Sequence, residues 1–328
     1  MKIRILGPLH AETDGVPVVP SAAKTRQILA LLALHPGRPV PVATLKEELW
    51  GPLPPCSAHS TLQTYILRLR RSLAAALGGP YGSEGTTEAG GATTGTTEAG
   101  GTSNRTTEAR GTSNRTTETQ GTSTETRRTT ARATGPARAR DLLATGHDGY
   151  LLRISEENVD AFAFQRAAQA GHTAFADGDS ARAARLLREA LALWKGPALV
   201  DVRAGAALRI HAARLEESRL LATERRLDAE LRLGLHGELL AELVELTRLH
   251  PANERLHAQA MVAFYRAGRQ SEALQLYRGL RRRLVEELGL EPAPQLQRLH
   301  QAMLSVDPRL DTPAHGGRPT PTFDLYAA

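Results

Sequence analysis

The sequence predicts a mainly α chain. An N-terminal α+β domain carries a small antiparallel sheet and a C-terminal hairpin around three helices, and an all-α domain of helical repeats follows. Three observations predict this. The run from Ser60 to Leu73 puts Leu62, Tyr65, Ile66, Leu69 and Leu73 on one stripe at the helical period, with Thr61, Thr64, Arg68 and Arg71 opposite. Strand-like residues precede this helix, and a glycine-bearing hairpin pattern comes after it. From about 159 to 303 the pattern is helical throughout, with Gly234 and Gly268 spaced 34 residues apart, the period of tetratricopeptide repeats.

The elements follow in order. Lys2 to Leu9 alternates enough to form a strand, Asp14-Gly15 is a turn signal, and Val16, Val18 and Val19 suggest a returning strand. Ser21 is placed to cap a helix running through Arg26 to Leu34 that buries Ile28, Leu29, Leu31 and Leu32, and Pro36-Gly37 stops it. A short second helix over Val42 to Leu49 ends at Trp50-Gly51. Pro52, Pro54 and Pro55 then forbid helix until the amphipathic run. Leu142 to Thr145 and Tyr150 to Ile154 flank Gly146-His-Asp-Gly149 and read as a β-hairpin, with Tyr150 in its core. Strands, three helices and a hairpin are the order of a winged helix-turn-helix.

Between the third helix and the hairpin, no Val, Ile, Leu, Met, Phe or Trp occurs from residue 78 to residue 141. A decapeptide beginning Thr-Thr-Glu recurs there, from Thr86, Thr96, Thr106 and Thr116. A segment with so little to bury cannot offset its ordering entropy, so residues 79–138 are expected to be a disordered Thr/Gly-rich insert. In the helical domain, Ala174-Phe-Ala-Asp-Gly178 followed by Ala183 aligns with Phe264-Tyr-Arg-Ala-Gly268 followed by Ala273, and Pro251 sits where such a repeat places its terminal proline. The spacing from the first copy to the second is irregular. Pro308 to Ala328 reads as a tail. The expected division is therefore 1–78 and 139–156 for the winged helix, 79–138 for the insert, 157–306 for the repeat domain and 307–328 for a flexible tail.

Composition narrows the function. A formal charge of +6 and a pI near 9.8 fit an anionic partner. Only four of the 41 basic residues are lysines, a bias that a GC-rich genome accounts for. One cysteine, Cys56, excludes an intramolecular disulfide and any multi-cysteine metal site. The first fifteen residues lack a signal-peptide core, and no apolar run approaches the roughly 18–20 residues of a membrane span. The chain is expected to be soluble and cytoplasmic. Cys56 with His59, or His250 and His257 on the repeat surface, make no catalytic signature, and no HExxH, GxSxG, GxGxxG or P-loop occurs. No enzyme activity, metal or cofactor is expected. Two other readings stay open: a repeat scaffold that binds proteins, and a repressor of the same architecture.

The combination resembles the actinobacterial antibiotic regulatory proteins, the SARP family. Thr61-Leu-Gln-Thr-Tyr65 with Arg68-Leu-Arg-Arg71, Leu45-Lys-Glu-Glu-Leu-Trp50 and Gly149-Tyr-Leu-Leu152 resemble its OmpR-type winged helix. Trp194-Lys-Gly-Pro-Ala-Leu199 and Leu284-Val-Glu-Glu-Leu-Gly-Leu-Glu-Pro292 resemble its bacterial transcriptional activation domain. The likeness covers about residues 1–78 and 140–306. It implies an activator that binds direct repeats in double-stranded DNA near a promoter of a biosynthetic cluster and works through RNA polymerase holoenzyme. The oligomeric state is open, and direct repeats would suit a homodimer of two head-to-tail protomers on DNA. Carried over by position, the helix from Ala58 to Leu73 is the recognition helix. Thr61, Gln63, Thr64 and Arg68 are candidates for base or groove contacts, and Arg70 and Arg71 for phosphates. Lys24 and Arg26 are candidate backbone clamps, with an exposed helix start as the equal alternative. His147 at the wing tip is placed to approach the minor groove, although an uninvolved turn residue is the plainer reading. The loop 51–57 matches the polymerase-contacting segment of OmpR-type activators, yet it lacks the acidic residues often found there.

Overall fold

The computed structural model describes residues 1–78 and 135–311. The disorder expected for 79–134 and most of the expected tail, 312–328, lie outside the described residues.

Three short strands open the chain: β1 (Lys2–Arg4), β2 (His10–Thr13) and β3 (Val16–Pro17), antiparallel and adjacent in that order, with Ile3 opposite Ala11 and Thr13 opposite Val16. The strand expected from Lys2 to Leu9 is thus corrected to Lys2–Arg4 alone, and its partner β2 begins only at His10. The backbone leaves the sheet at Ile5 and Leu6 because it is bonded elsewhere. Their N–H groups donate to the Asp160 carboxylate at 2.8 and 3.2 Å. Their carbonyls accept from Leu199 and Lys195 at 3.0 and 2.7 Å.

Helix α1 (Ala23–Ala33) follows, with Ile28, Leu29, Leu31 and Leu32 fully buried. Its cap is Ala22, whose carbonyl takes the Thr25 and Arg26 N–H groups, so Ser21 lies one residue too early to cap it. Helix α2 (Val42–Trp50) ends at Gly51, and α3 (Ala58–Ala76) buries Leu62, Ile66, Leu69 and Leu73. Each of those four side chains contributes about 1.5–3 kcal/mol by burial, as does each of the four in α1, so the two helices support the domain together.

Helix α4 (Gly135–Leu142) overturns the disorder expected for 135–138. Pro136 suits a helix start, where its missing N–H costs nothing, and Ala139 is buried where α4 packs on α3. Residues 135–138 thus lie in a helix rather than in the expected disordered insert. The hairpin is β5 (Leu143–Thr145) and β6 (Gly149–Leu152), joined by a strand the sequence did not reveal, β4 (Val40–Pro41), in the order β4-β6-β5. Gly149 allows this close approach: a Cβ there would stand 2.0 Å from the Val40 carbonyl oxygen.

Six helices then follow as three pairs consecutive in the chain: α5 (Asp160–Ala176) and α6 (Ser180–Leu191), α7 (Ala206–Arg232) and α8 (His236–Leu249), and α9 (Glu254–Arg266) and α10 (Gln270–Arg283). The first and third pairs pack closely, whereas α7 packs mainly on α6 and α8 mainly on α9. Gly178, Gly234 and Gly268 end the first helix of each pair at positive φ, which explains their recurrence. The irregular first spacing has a physical cause. Residues 192–205, expected to be helical, form a connection that crosses to the N-terminal domain, with Trp194 edge-on to Phe164 at 5.3 Å. Helix α9 is buried continuously from Leu256 to Phe264, so His257 is interior rather than a surface residue. A π-helical turn (Leu284–Leu288) leads to α11 (Pro294–Leu304). Residues 307–311, expected in the tail, dock instead: Leu310 is fully buried and its carbonyl accepts from Arg266 Nε at 2.8 Å.

The apolar core is continuous from β1 through α1, α2 and α3 into α5, α6 and the first half of α7. The two domains therefore share one interior.

Candidate nucleic-acid interface

Helix α3 is the centre of the candidate site. Its apolar stripe fixes its orientation, and Tyr65 completes the packing by stacking on Trp50, centroids 6.4 Å apart. The opposite face is left to solvent. Gln63, Thr64, Arg68 and Arg71 are exposed and Thr61 is half-buried. Short side chains lie toward the helix start and arginines beyond them. The Thr64 hydroxyl donates to the Ser60 carbonyl at 3.1 Å, and Gln63 lies 3.2 Å from the His59 ring. Among the described residues, the side chains of Arg68 and Arg71 make no ion pair or hydrogen bond. A helix of this kind can insert its slim end into a major groove and present guanidinium groups to base edges or phosphates.

The remaining candidates are placed differently. Arg70 turns toward the wing, where Nε donates to the Leu143 carbonyl at 3.0 Å and a terminal nitrogen donates to the Thr145 hydroxyl at 2.8 Å. Burial, with the Arg140 charge beside it, lowers its pKa, while Tyr150 opposes the shift. Arg70 joins α3 to β5. Lys24 donates to the Leu49 carbonyl at the end of α2, and burial followed by the Arg203 charge lowers its pKa. Arg26 is ion-paired with Asp201 of the helical domain. Lys24 and Arg26 thus face inward partners rather than open solvent. His147 stands at the wing tip with its side chain 97% exposed, 3.0 Å from Asp148. It lies two residues beyond Thr145, which Arg70 holds. In the loop 51–57, Leu53 is 87% exposed.

Sequence reasoning missed the acidic residues that orient this interface on the rest of the chain. Glu48 is buried, and its carboxylate accepts from the Gly205 N–H and, at 3.1 Å, from the Leu208 N–H at the start of α7. It also accepts from Gln27 at 3.3 Å. Asp160 receives the Ile5 and Leu6 N–H groups, and Asp201 receives the Leu9 N–H at 2.7 Å. Each carboxylate links backbone in one domain to a helix or loop of the other. A carboxylate amid apolar neighbours, as at Glu48 in Leu45-Lys-Glu-Glu-Leu-Trp50, was the available signal, but its partners in the other domain are 157 and 160 residues away.

Helix α4 brings two further arginines, Arg138 and Arg140, beside α3 and the wing. Among the described residues no cluster of His, Cys, Asp and Glu could hold a metal, and no helix is long and apolar enough to cross a membrane.

Comparison with known proteins gives a consistent picture. The family model described as "Transcriptional regulatory protein, C terminal" matches residues 17–81, and "Bacterial transcriptional activator domain" matches residues 159–304. The chain is 42% identical over 311 residues to the regulatory protein DnrI of Streptomyces peucetius, covering 95% of this chain and 94% of that protein. It is 32% identical to the transcriptional regulator RedD of Streptomyces coelicolor, covering 96% and 73%. The solved structure of Mycobacterium tuberculosis EmbR in complex with a low affinity phosphopeptide superposes with a TM-score of 0.71 at 28% identity, over 99% of this chain and 67% of that one.

Proposed function

The chain belongs to the SARP family of transcriptional regulators, and from that premise we propose that it is a sequence-specific DNA-binding activator. It reads direct repeats near promoters of a secondary-metabolite gene cluster and recruits RNA polymerase holoenzyme. One observation carries this reading: α3 is anchored by a fully buried stripe while Thr61, Gln63, Thr64, Arg68 and Arg71 face outward. Thr61, Gln63, Thr64 and Arg68 take the base or groove contacts and Arg71 a phosphate. Arg70 positions the wing, which carries His147 toward the adjacent minor groove. The reading domain comprises 1–78 and 135–156, the activating domain 157–311. The loop 51–57, with Leu53 outermost, is the surface offered to polymerase.

Footprinting of the purified protein on promoters neighbouring its own gene tests the proposal. Protection of two directly repeated half-sites, weakening steeply with added salt through counterion release, is the expected result. Absence of any protected site, together with a flat salt response, overturns it.

A further inference from the structure

The groove between α10 and α11 lies far along the chain from every residue assigned above. It encloses about 470 Å³, within the range of small-molecule sites. Its floor is the Tyr277 ring stacked on the His300 imidazole, centroids 3.9 Å apart and 12° from parallel. Val285 and Leu304 give it an apolar end, 43% and 48% exposed. Arg278, Arg281 and Arg282 line it from α10, and Glu286 lines it from the π-helical turn that follows.

Arg278 and Arg282 are one helical turn apart and, among the described residues, the side chain of neither makes an ion pair or hydrogen bond. Their neighbours differ: Arg281 pairs with Glu291 and Arg283 with Glu287. Like charges at this spacing repel along a helix. Against the two unpaired guanidinium groups the groove sets a single carboxylate, Glu286, so a net positive field remains over an aromatic and aliphatic surface. Burial, then the Arg278 charge, lowers the His300 pKa, which keeps the floor uncharged at neutral pH.

We propose that this groove binds an amphipathic organic anion, with a flat or extended apolar body and a single carboxylate. The body lies against Tyr277 and His300 and reaches Val285 and Leu304. The carboxylate takes paired N–H bonds from the guanidinium of Arg278 or Arg282. A nucleic-acid phosphate would satisfy the arginines but leave the apolar end uncovered, and charge alone therefore does not account for the groove. The ligand joins α10 to α11 and stabilises the end of the repeat array.

The test is calorimetric titration and thermal melting of the full chain with 2-naphthoate and decanoate, with 2-naphthalenemethanol as the uncharged control. The expected result is a rise in Tm with one of the carboxylates and at least tenfold weaker binding of the alcohol. The double variant R278Q/R282Q should lose at least tenfold in carboxylate affinity while its footprint on promoter DNA is unchanged. Leu304→Glu, at the apolar end, should abolish binding with both arginines present. No Tm shift with either carboxylate, or equal binding of the alcohol, overturns the proposal. So does a double variant that binds the carboxylate normally but loses DNA affinity, which would assign the arginines to phosphate.

Discussion

At the scale of single residues, neighbouring arginines on one helix divide the work. Arg68 faces solvent unengaged, whereas Arg70 is held by two hydrogen bonds to β5. We expect Arg68→Ala to weaken binding to the footprinted site by about 1–3 kcal/mol, the worth of a bidentate base contact, with Tm unchanged. Fluorescence anisotropy with cognate and base-substituted duplexes measures it, and an unaltered site preference would remove Arg68 from the readout. Arg70→Ala should instead lower stability, and with it Tm, by roughly 1 kcal/mol of unfolding free energy per lost hydrogen bond, and weaken binding to all DNA sequences alike by loosening the wing. Periodicity assigned the exposed face of α3 from sequence, because helical geometry is local. It could not separate Arg70 from Arg71, since the difference is a contact 73 to 75 residues away.

Among elements, the informative joint is the one between α2 and α7. The Glu48 carboxylate caps the start of α7 across the domain seam and also receives Gln27. Replacing it with Ala strands two backbone N–H groups and leaves the Gln27 amide only its bond to the Glu48 backbone carbonyl. The loss should cost about 2–3 kcal/mol, the sum of a lost cap and charge-assisted hydrogen bonds. Glu48→Gln keeps the shape and one acceptor, and should fall between Ala and wild type in a urea melt. Equal stability of all three proteins would show that the seam is held by apolar packing alone. The strong helices were legible in the sequence because each has a clear buried stripe and a stop signal, as at Pro36-Gly37 and Gly51. Helix α4 was not, because eight residues rich in arginine show no stripe. The break after Arg4 was hidden for another reason: its cause, Asp160, belongs to a different domain.

For the whole molecule, histidines set the response to acid. His172, His211, His257 and His300 all have lowered pKa values, in each case chiefly through burial. A base whose pKa is depressed on folding contributes its full stability above the unfolded value, about 6.5, and loses it as pH falls below that. Asp160 and Glu224, raised mainly by burial, act in the opposite sense and gain stability as pH falls toward their raised values. Tm should therefore drop from pH 7 toward pH 5 and flatten at lower pH, and His257→Gln should reduce the slope. A flat profile across that interval, unchanged by His257→Gln, would mean that the imidazoles take up protons equally in the folded and unfolded chain.

The same scale decides what the repeat insert does. Helix α4 packs on α3, so the chain departs after Gly78 and returns at Gly135 to one local assembly. The intervening segment offers no large aliphatic side chain to the shared core. We expect deletion of residues 84–134 to leave the fold and the promoter footprint intact. Loop-closure entropy adds a sign to that expectation. Each halving of a flexible loop is worth about 0.6 kcal/mol, so cutting the connection to a few residues should raise stability by about 2 kcal/mol at most. A urea melt of the deletion variant beside the full chain measures it. Unfolding on deletion would make the insert structural. A stable variant with a lost or shifted footprint would make it part of DNA recognition, through the arginines that the repeats carry.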